Sequence, residues 1–361
     1  MRVAEYFAGI GLARLGLESA GFSVTWSNDL SPRKKAMYSK RFGEDSHYHL
    51  GDVTQLSKET DPSSVEVAWA SFPCTDLSLA GGRGGLNAGA SAAFWGFINS
   101  LRRMGNHRPA VVALENVLGL ATSRGGSDIV EAVKALNDLG YSVDVLRIDA
   151  SRFVPQSRVR LFIIGDSRLP ANSGDAHDFR PPSLEWLHES AELQMHRYPL
   201  PPAPAIDHQG LGALVHSLSD QDDDWWGDDR KNAFLSSLAA GQASRLDLLR
   251  AGQGATYRTA YRRMRGGVPR WEIRSDEIAG CLRTARGGSS RQAVVRAGDG
   301  DVDVRWMSPA EYEALMGATG FATADMTPSD AQWGFGDAVC VPVVAWLARH
   351  AILPRLGPPQ P

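Results

Sequence analysis

From Met1 to Gly165, short apolar runs alternate with stretches whose apolar positions recur every three or four residues. The runs at 2–7, 23–28, 48–50, 65–71 and 110–114 predict strands. The stretches at 12–20, 32–42, 93–104 and 129–139 predict helices, the first of them stopped by Gly21. Strand–helix alternation of this kind predicts an α/β domain with a largely parallel sheet. The runs at 141–149 and 160–165 lie too close together for a crossover helix, so they predict an antiparallel pair. From Asp166 the periodicity breaks down. Pro181, Pro182, Pro199, Pro201, Pro202 and Pro204 punctuate a segment that, to about Arg274, reads as a separate lobe rich in loops. Helical spacing returns at 309–316 and 339–352, and the tail LGPPQP reads as frayed. The expected division is 1–165, 166–275 and 276–361, without internal repeats.

Composition narrows the class. Apolar residues are 43% and charged residues 22% of the 361, ordinary globular usage that argues against disordered, collagen-like and coiled-coil chains. No window approaches the ~18 uninterrupted apolar residues of a membrane span. The opening MRVAEYFAGIG lacks the layout of a signal peptide. Cys74, Cys281 and Cys340 are widely separated and suggest neither a zinc site nor a disulfide framework. The expectation is a soluble, cytoplasmic protein with no membrane partner. A net charge of -3 does not advertise nucleic acid, but its distribution does more. Of 38 basic residues 32 are Arg, whose planar fork suits phosphates and guanine edges, although a GC-rich genome would enrich Arg equally. Arg258, Arg262, Arg263, Arg265, Arg270 and Arg274 fall in one short stretch, with Glu272 the only acid among them. The stretch 220–229 is instead acidic and carries Trp225 and Trp226.

The candidate chemistry lies at the strand ends, where open parallel sheets bind ligands. The first strand runs into Phe7-Ala8-Gly9-Ile10-Gly11, the second into Asn28-Asp29-Leu30, the third into Gly51-Asp52-Val53. The fourth runs into Phe72-Pro73-Cys74 and the fifth into Glu115-Asn116. A single polar residue after a strand is usually a turn or cap; five along one edge favour a site. Gly9 and Gly11 would let backbone approach a ligand beside a helix N-terminus, although a lone GxG is more often just a tight turn. Asp29 follows the second of these glycines at close to the spacing expected of an acid that binds ribose hydroxyls. The third glycine of a dinucleotide fingerprint is missing, which weakens NAD and leaves another adenosine ligand open. An arbitrary Cys is usually buried and inert. Here, Cys74 is joined by Glu115, an acid directly after the apolar run VVAL, and the two form a plausible pair for covalent catalysis. Arg158 and Arg160 would share one side of an extended segment, an arrangement as common on a solvated strand face as in a site.

At these residues the chain strongly resembles the DNA (cytosine-5) methyltransferases. FAGIG, Asn28-Asp29, Gly51-Asp52, SFPCTDLS, Glu115-Asn116-Val117, Gln156-Ser157-Arg158-Val159-Arg160, the segment from Arg305 to Glu311 and Gly336-Asp337-Ala338-Val339 follow the family's motifs in order. The resemblance implies a Rossmann-like, S-adenosylmethionine-dependent methyltransferase sheet, mostly parallel with one antiparallel strand, and a second, smaller target-recognition domain. It implies that Phe7, Gly9, Ile10, Gly11, Asn28, Asp29, Leu30, Asp52, Val53, Pro73, Asp337, Ala338 and Val339 hold S-adenosyl-L-methionine. Cys74 would attack C6 of a flipped-out cytosine, Glu115 would hold or protonate N3, Arg160 would contact O2 and Arg158 would organise the pocket. Arg83, in a Gly-rich loop expected to act as a lid, and Gln156, Arg258, Arg262, Arg263 and Arg265 would face double-stranded DNA. A monomer is expected, with a cognate restriction endonuclease as a candidate partner. A tRNA-acting branch shares the motifs, and a non-catalytic regulator on the same fold is the other alternative. Leu12, Thr75, Ala90, Ala310 and Asp337 depart from the family pattern.

Overall fold

Strands β1 (Arg2–Tyr6), β2 (Ser23–Asp29), β3 (Tyr48–Leu50), β4 (Val67–Ala70), β5 (Val111–Val117), β6 (Ser142–Asp149) and β7 (Val159–Asp166) form one seven-stranded sheet in the order β3-β2-β1-β4-β5-β7-β6. β7 is antiparallel to both β5 and β6, and the other described pairings are parallel. The fold is therefore the expected α/β sheet with one reversed strand. All four residues of β4 and the first six of β5 are buried, as in a sheet covered on both faces. Ala4, Tyr6, Ala68, Ala70, Val112 and Leu114 face Phe94, Phe97, Ile98 and Leu101 of the helix Ala93–Met104. The helix Leu12–Ser19 packs against Val341–Leu347, so closely that a Cβ on Gly16 would lie 2.6 Å from Val344. Strand order reverses between β1 and β4, the switch point at which such sheets bind ligands.

The computed structural model describes residues 1–44, 47–73, 93–168, 174–218, 224–284, 291–321 and 323–357. Cys74, Arg83 and the Gly-rich loop expected as a lid lie outside the described residues. The chain divides into two compact units: Met1–Asp149, Val159–Pro204 and Val341–Pro361 make one, Ala150–Arg158 and Ala205–Cys340 the other. These units are cut at places other than 165/166 and 275/276. The proline-punctuated segment up to Pro204 packs in the first unit because Val143 and Met195 form a β-bridge and Arg180 pairs with Asp144. The second unit contains β8 (Thr256–Arg265), β9 (Val268–Ile273), β10 (Gln292–Gly298) and β11 (Asp301–Trp306) in the antiparallel order β11-β10-β8-β9. This lobe is also more regular than the loop-rich reading: helices occupy Gly210–Ser217, Asp228–Ser236 and Ala240–Arg250. The helical run Pro328–Leu356 is long and apolar enough to cross a membrane by length and composition, and most of it is buried inside the fold.

Candidate active site

The loop after β1 is shaped by its backbone. Phe7 and Gly9 both sit at φ 58°, a conformation uncommon for a residue with a side chain and often kept where function requires it. Gly11 has φ 84°, and a Cβ there would lie 2.4 Å from Phe42, so neither dihedral nor space admits another residue. Gly9 is different: the nearest atom to its missing Cβ is 3.9 Å away, leaving room above the backbone. Its N–H donates to Asp29 Oδ2 at 2.9 Å, and the Ser31 N–H donates to Oδ1 at 2.8 Å. Each oxygen retains lone-pair capacity for a further donor. Leu30, next in sequence, leaves 67% of its surface exposed.

Other residues expected at the cofactor play structural parts through their side chains. Ile10, Asn28 and Val53 are buried, and Val53 packs so tightly that a Cβ on Gly96 would approach it to 2.8 Å. Asn28 Nδ2 donates to the carbonyls of His49 and Gly51 at 2.9 and 3.0 Å, tying the end of β2 to that of β3. Asp52 Oδ1 accepts from the Thr54 N–H and hydroxyl, both at 2.8 Å, and caps the turn Val53–Gln55.

The ends of β4, β5 and β7 converge on a charged pair. Glu115 lies opposite Phe162 in the β5–β7 register and diagonal to Arg160, within reach of a long side chain. Arg160 Nε stands 2.9 Å from Glu115 Oε1, with side chains 16% and 7% exposed. Asn116 Nδ2 donates to the Phe72 carbonyl at 3.0 Å, fixing the segment that leads into Pro73. An acid paired with a guanidinium at a sheet edge can hold or deliver a proton to a polar ring while the cation balances charge.

In the second unit Arg158 is 2% exposed and its guanidinium donates to the carbonyls of Leu282 at 2.8 Å, Gly336 at 3.2 Å and Ala338 at 2.5 Å. β7 begins only at Val159, so Arg158 lies just before the strand, and its guanidinium holds the 336–338 turn. Gly336 accepts no Cβ, which would lie 2.4 Å from backbone atoms of Arg283 and Thr284. Asp337 accepts from Thr284 Oγ1 at 2.9 Å, and Val339 is buried.

Two residues expected at DNA have partners within the chain. Gln156 is completely buried, its amide donating to the Leu315 carbonyl at 2.7 Å and accepting from the Leu282 N–H at 3.1 Å. Arg258 is 8% exposed and paired with Glu277 at 2.9 Å. Arg262, Arg263 and Arg265 lie on the exposed outer half of β8. Glu272 pairs with Arg263 and Arg265 at 3.3 and 2.5 Å.

Glu5, which the sequence reading passed over, sits 1% exposed in β1. Its Oε1 accepts from the Arg14 N–H at 3.2 Å, at the start of a helix whose N-cap Gly11 has no side chain to offer. Its Oε2 is buried without a partner. Burial pushes the carboxyl from 4.5 up to about 8, against the Arg14 hydrogen bond and charge. Between those pH values the folded chain retains a proton that the unfolded chain has lost. Stability from this group is therefore full below about 4.5 and is lost as pH rises towards about 8. Glu5→Gln, which mimics the neutral acid, should remove that slope, roughly 1.4 kcal/mol for each pH unit in the window. Urea unfolding at pH 5.5 and pH 8 checks this; parallel losses in both proteins would exclude the assignment.

The family model for C-5 cytosine-specific DNA methylases matches residues 1–352. Type II methyltransferase M.HhaI of Haemophilus parahaemolyticus is 30% identical over 165 residues, 45% of this chain and 48% of that protein. Type II methyltransferase M.Sau3AI of Staphylococcus aureus is 35% identical over 181 residues, 46% of this chain and 43% of that protein. The chain thus spans about half or less of the length of these curated relatives. The S. pombe Dnmt2 methyltransferase structure has the same fold, with a TM-score of 0.60 and 15% identity over 99% of both chains. With the methylase model spanning nearly its whole length, and the Glu-Asn-Val and Arg-x-Arg residues at neighbouring strand ends, the chain belongs to the C-5 cytosine-specific DNA methylase family.

Proposed function

We propose that this chain is a sequence-specific DNA cytosine-5 methyltransferase that draws its methyl group from S-adenosyl-L-methionine. The observation that carries the reading is the Glu115–Arg160 pair at 2.9 Å, beside the Asn116 tether to Phe72, directly before Pro73-Cys74. The open space at Gly9, the two-oxygen seat of Asp29 and the exposed Leu30 fit an adenosine ligand. Phe7, Gly9, Gly11, Asp29, Leu30 and Asp52 would hold it, with Pro73 as a further contact. When bound, the cofactor supplies an electrophilic methyl group.

The residues then divide the work. C5 and C6 of cytosine are inaccessible in a duplex, so the base must leave the stack. The Cys74 thiolate adds to C6 while Glu115 protonates or holds N3, which moves the ring electrons towards C5. Arg160 steadies Glu115 and contacts O2, and Arg158 acts as a positioning residue through the 336–338 turn. After C5 is methylated, loss of its proton to water or another base expels Cys74 and restores the ring. Relatives named Type II methyltransferases support a modification role; a cognate restriction endonuclease as partner or a free-standing enzyme, a cytoplasmic location and a monomeric state belong to the proposal.

A duplex carrying 5-fluorocytosine, which blocks proton loss, should trap wild type covalently and leave Cys74→Ser untrapped. Absence of an adduct with wild type would favour a regulatory protein on this fold. Labelled methyl transfer to duplex DNA and to tRNA separates the substrates, and counts in tRNA alone would overturn DNA.

A further inference from the structure

The second unit holds an aromatic pocket that none of the residues assigned to methyl transfer lines. Trp226, Trp271 and Trp306 stand with ring centroids 5.1 to 5.9 Å apart, above Phe234. Together with Arg230 and Arg262 they line a cavity of about 250 Å³. That is below the ~300 Å³ at which pockets for drug-sized ligands begin, and suits one ring system. Arg262 lies opposite Trp271 in the β8–β9 register. The Arg230 guanidinium stacks 4.1 Å from the Trp226 ring centroid and 5.2 Å from that of Trp306.

The lining specifies the ligand: indole and phenyl rings form the walls, and two arginines supply the polar part. Arg230 and Arg262 make no ion pair among the described residues, whereas Arg263 and Arg265 of the same hairpin are tied to Glu272. A cationic guest is disfavoured by the charges of Arg230 and Arg262 in the lining. An aliphatic guest would leave both guanidinium groups unused. A flat heteroaromatic ring with acceptor edges, attached to a phosphate chain, uses all of them: it stacks on indole and guanidinium planes and places anionic charge beside Arg262.

We propose that this pocket receives a second unstacked nucleobase of the DNA, distinct from the cytosine that is methylated. The proposal rests on the duplex-DNA reading above. The exposed hairpin carrying Arg262 also presents Met264 and Val268 near its Gly266-Gly267 turn, 60% and 50% exposed, apolar side chains suited to prising a base step open.

The test compares the full chain on two otherwise identical duplexes, one fully paired and one with a single bulged 2-aminopurine. Wild type should bind the bulged duplex about tenfold more tightly and quench 2-aminopurine by stacking. Arg230→Ala and Trp306→Leu should each abolish that preference and the quenching. Both should leave affinity for the paired duplex within twofold, and Trp306→Phe should restore most of the preference. Equal binding of both duplexes by wild type, or variants that keep the preference, would overturn the pocket. So would tight binding of free deoxyadenosine monophosphate that the variants lose, with no preference for the bulge. Trapping on 5-fluorocytosine, run on the same preparations, tells the two failures apart. An adduct without bulge preference removes only the pocket; no adduct and no duplex affinity remove the DNA reading and the pocket with it.

Discussion

Glu115→Gln is expected to lower kcat for methyl transfer to duplex DNA by about 10²–10⁴-fold while KM stays within about threefold. Glutamine keeps the shape of the side chain and can still accept from Arg160 Nε, which the native carboxylate holds at 2.9 Å. It loses the proton that would go to N3 and the charge that Arg160 balances. The loss should fall on the chemical step, because N3 gains proton affinity only as the thiolate adds to C6. Formation of the covalent adduct with 5-fluorocytosine should slow in parallel, which separates this effect from a fault in later proton loss. Steady-state kinetics with a saturating methyl donor gives the split. A variant within tenfold of wild type in kcat would mean that N3 is served by another donor, and Glu115 would become a structural partner of Arg160.

Legibility in the sequence followed burial. β4 and β5 were readable as short apolar runs, and the α/β alternation of that half placed the other strands and left few topologies. Glu115 stood out because an acid directly after an apolar strand is costly unless used, and Asp29 because of its spacing from the Gly9–Gly11 turn. The smaller sheet was not readable. The outer half of β8 is exposed and Arg-rich, so it has no buried face to impose alternation. One of its partners, β10, begins only at Gln292, well beyond the end of β9. The helices Asp228–Ser236 and Ala240–Arg250 bury only Phe234 and Leu246, too few to mark a helical stripe. Gln156, expected at DNA from a motif, and Arg258, expected there from the arginine cluster, each have partners in their own unit that spacing alone does not reveal. Glu5 was visible as an acid inside the run RVAEY, but only the structure shows it stitching β1 to the next helix.

Asp144→Asn should destabilise the fold by about 3–5 kcal/mol, the cost of leaving a buried charge without its partner. Asp144 is fully buried on β6. Arg180 clamps it with Nε at 2.9 Å and Nη2 at 2.7 Å, and Arg355 Nη2 approaches at 3.2 Å. Burial works against its ionisation, but the Arg180 hydrogen bonds and the Arg180 and Arg355 charges outweigh that and hold the carboxyl below its ordinary value. The arginine side chains are themselves 4% and 0% exposed, so neither can turn to water when the carboxylate is removed. At ~2–4 °C per kcal/mol, the melting temperature should fall by on the order of 10 °C. Acid should act on wild type in two stages. His196, 3.0 Å from Arg355, is pushed down to about 4 by burial and by that charge, so it stays neutral in the fold while the unfolded chain takes up a proton near 6.5. Stability from His196 is present above about 6.5 and is lost as pH falls towards about 4. The Asp144 contribution is present above 3.8 and goes only below that, as pH falls through its depressed value. Thermal melts of both proteins at pH 7.5, 4 and 2.5 separate the stages. The variant should start lower and keep the first loss, since His196 is intact, but lack the second. A shift under about 3 °C at pH 7.5 would mean that water reaches Arg180 and Arg355, and that the segment up to Pro204 is held to β6 by the Val143–Met195 bridge and apolar packing rather than by charge.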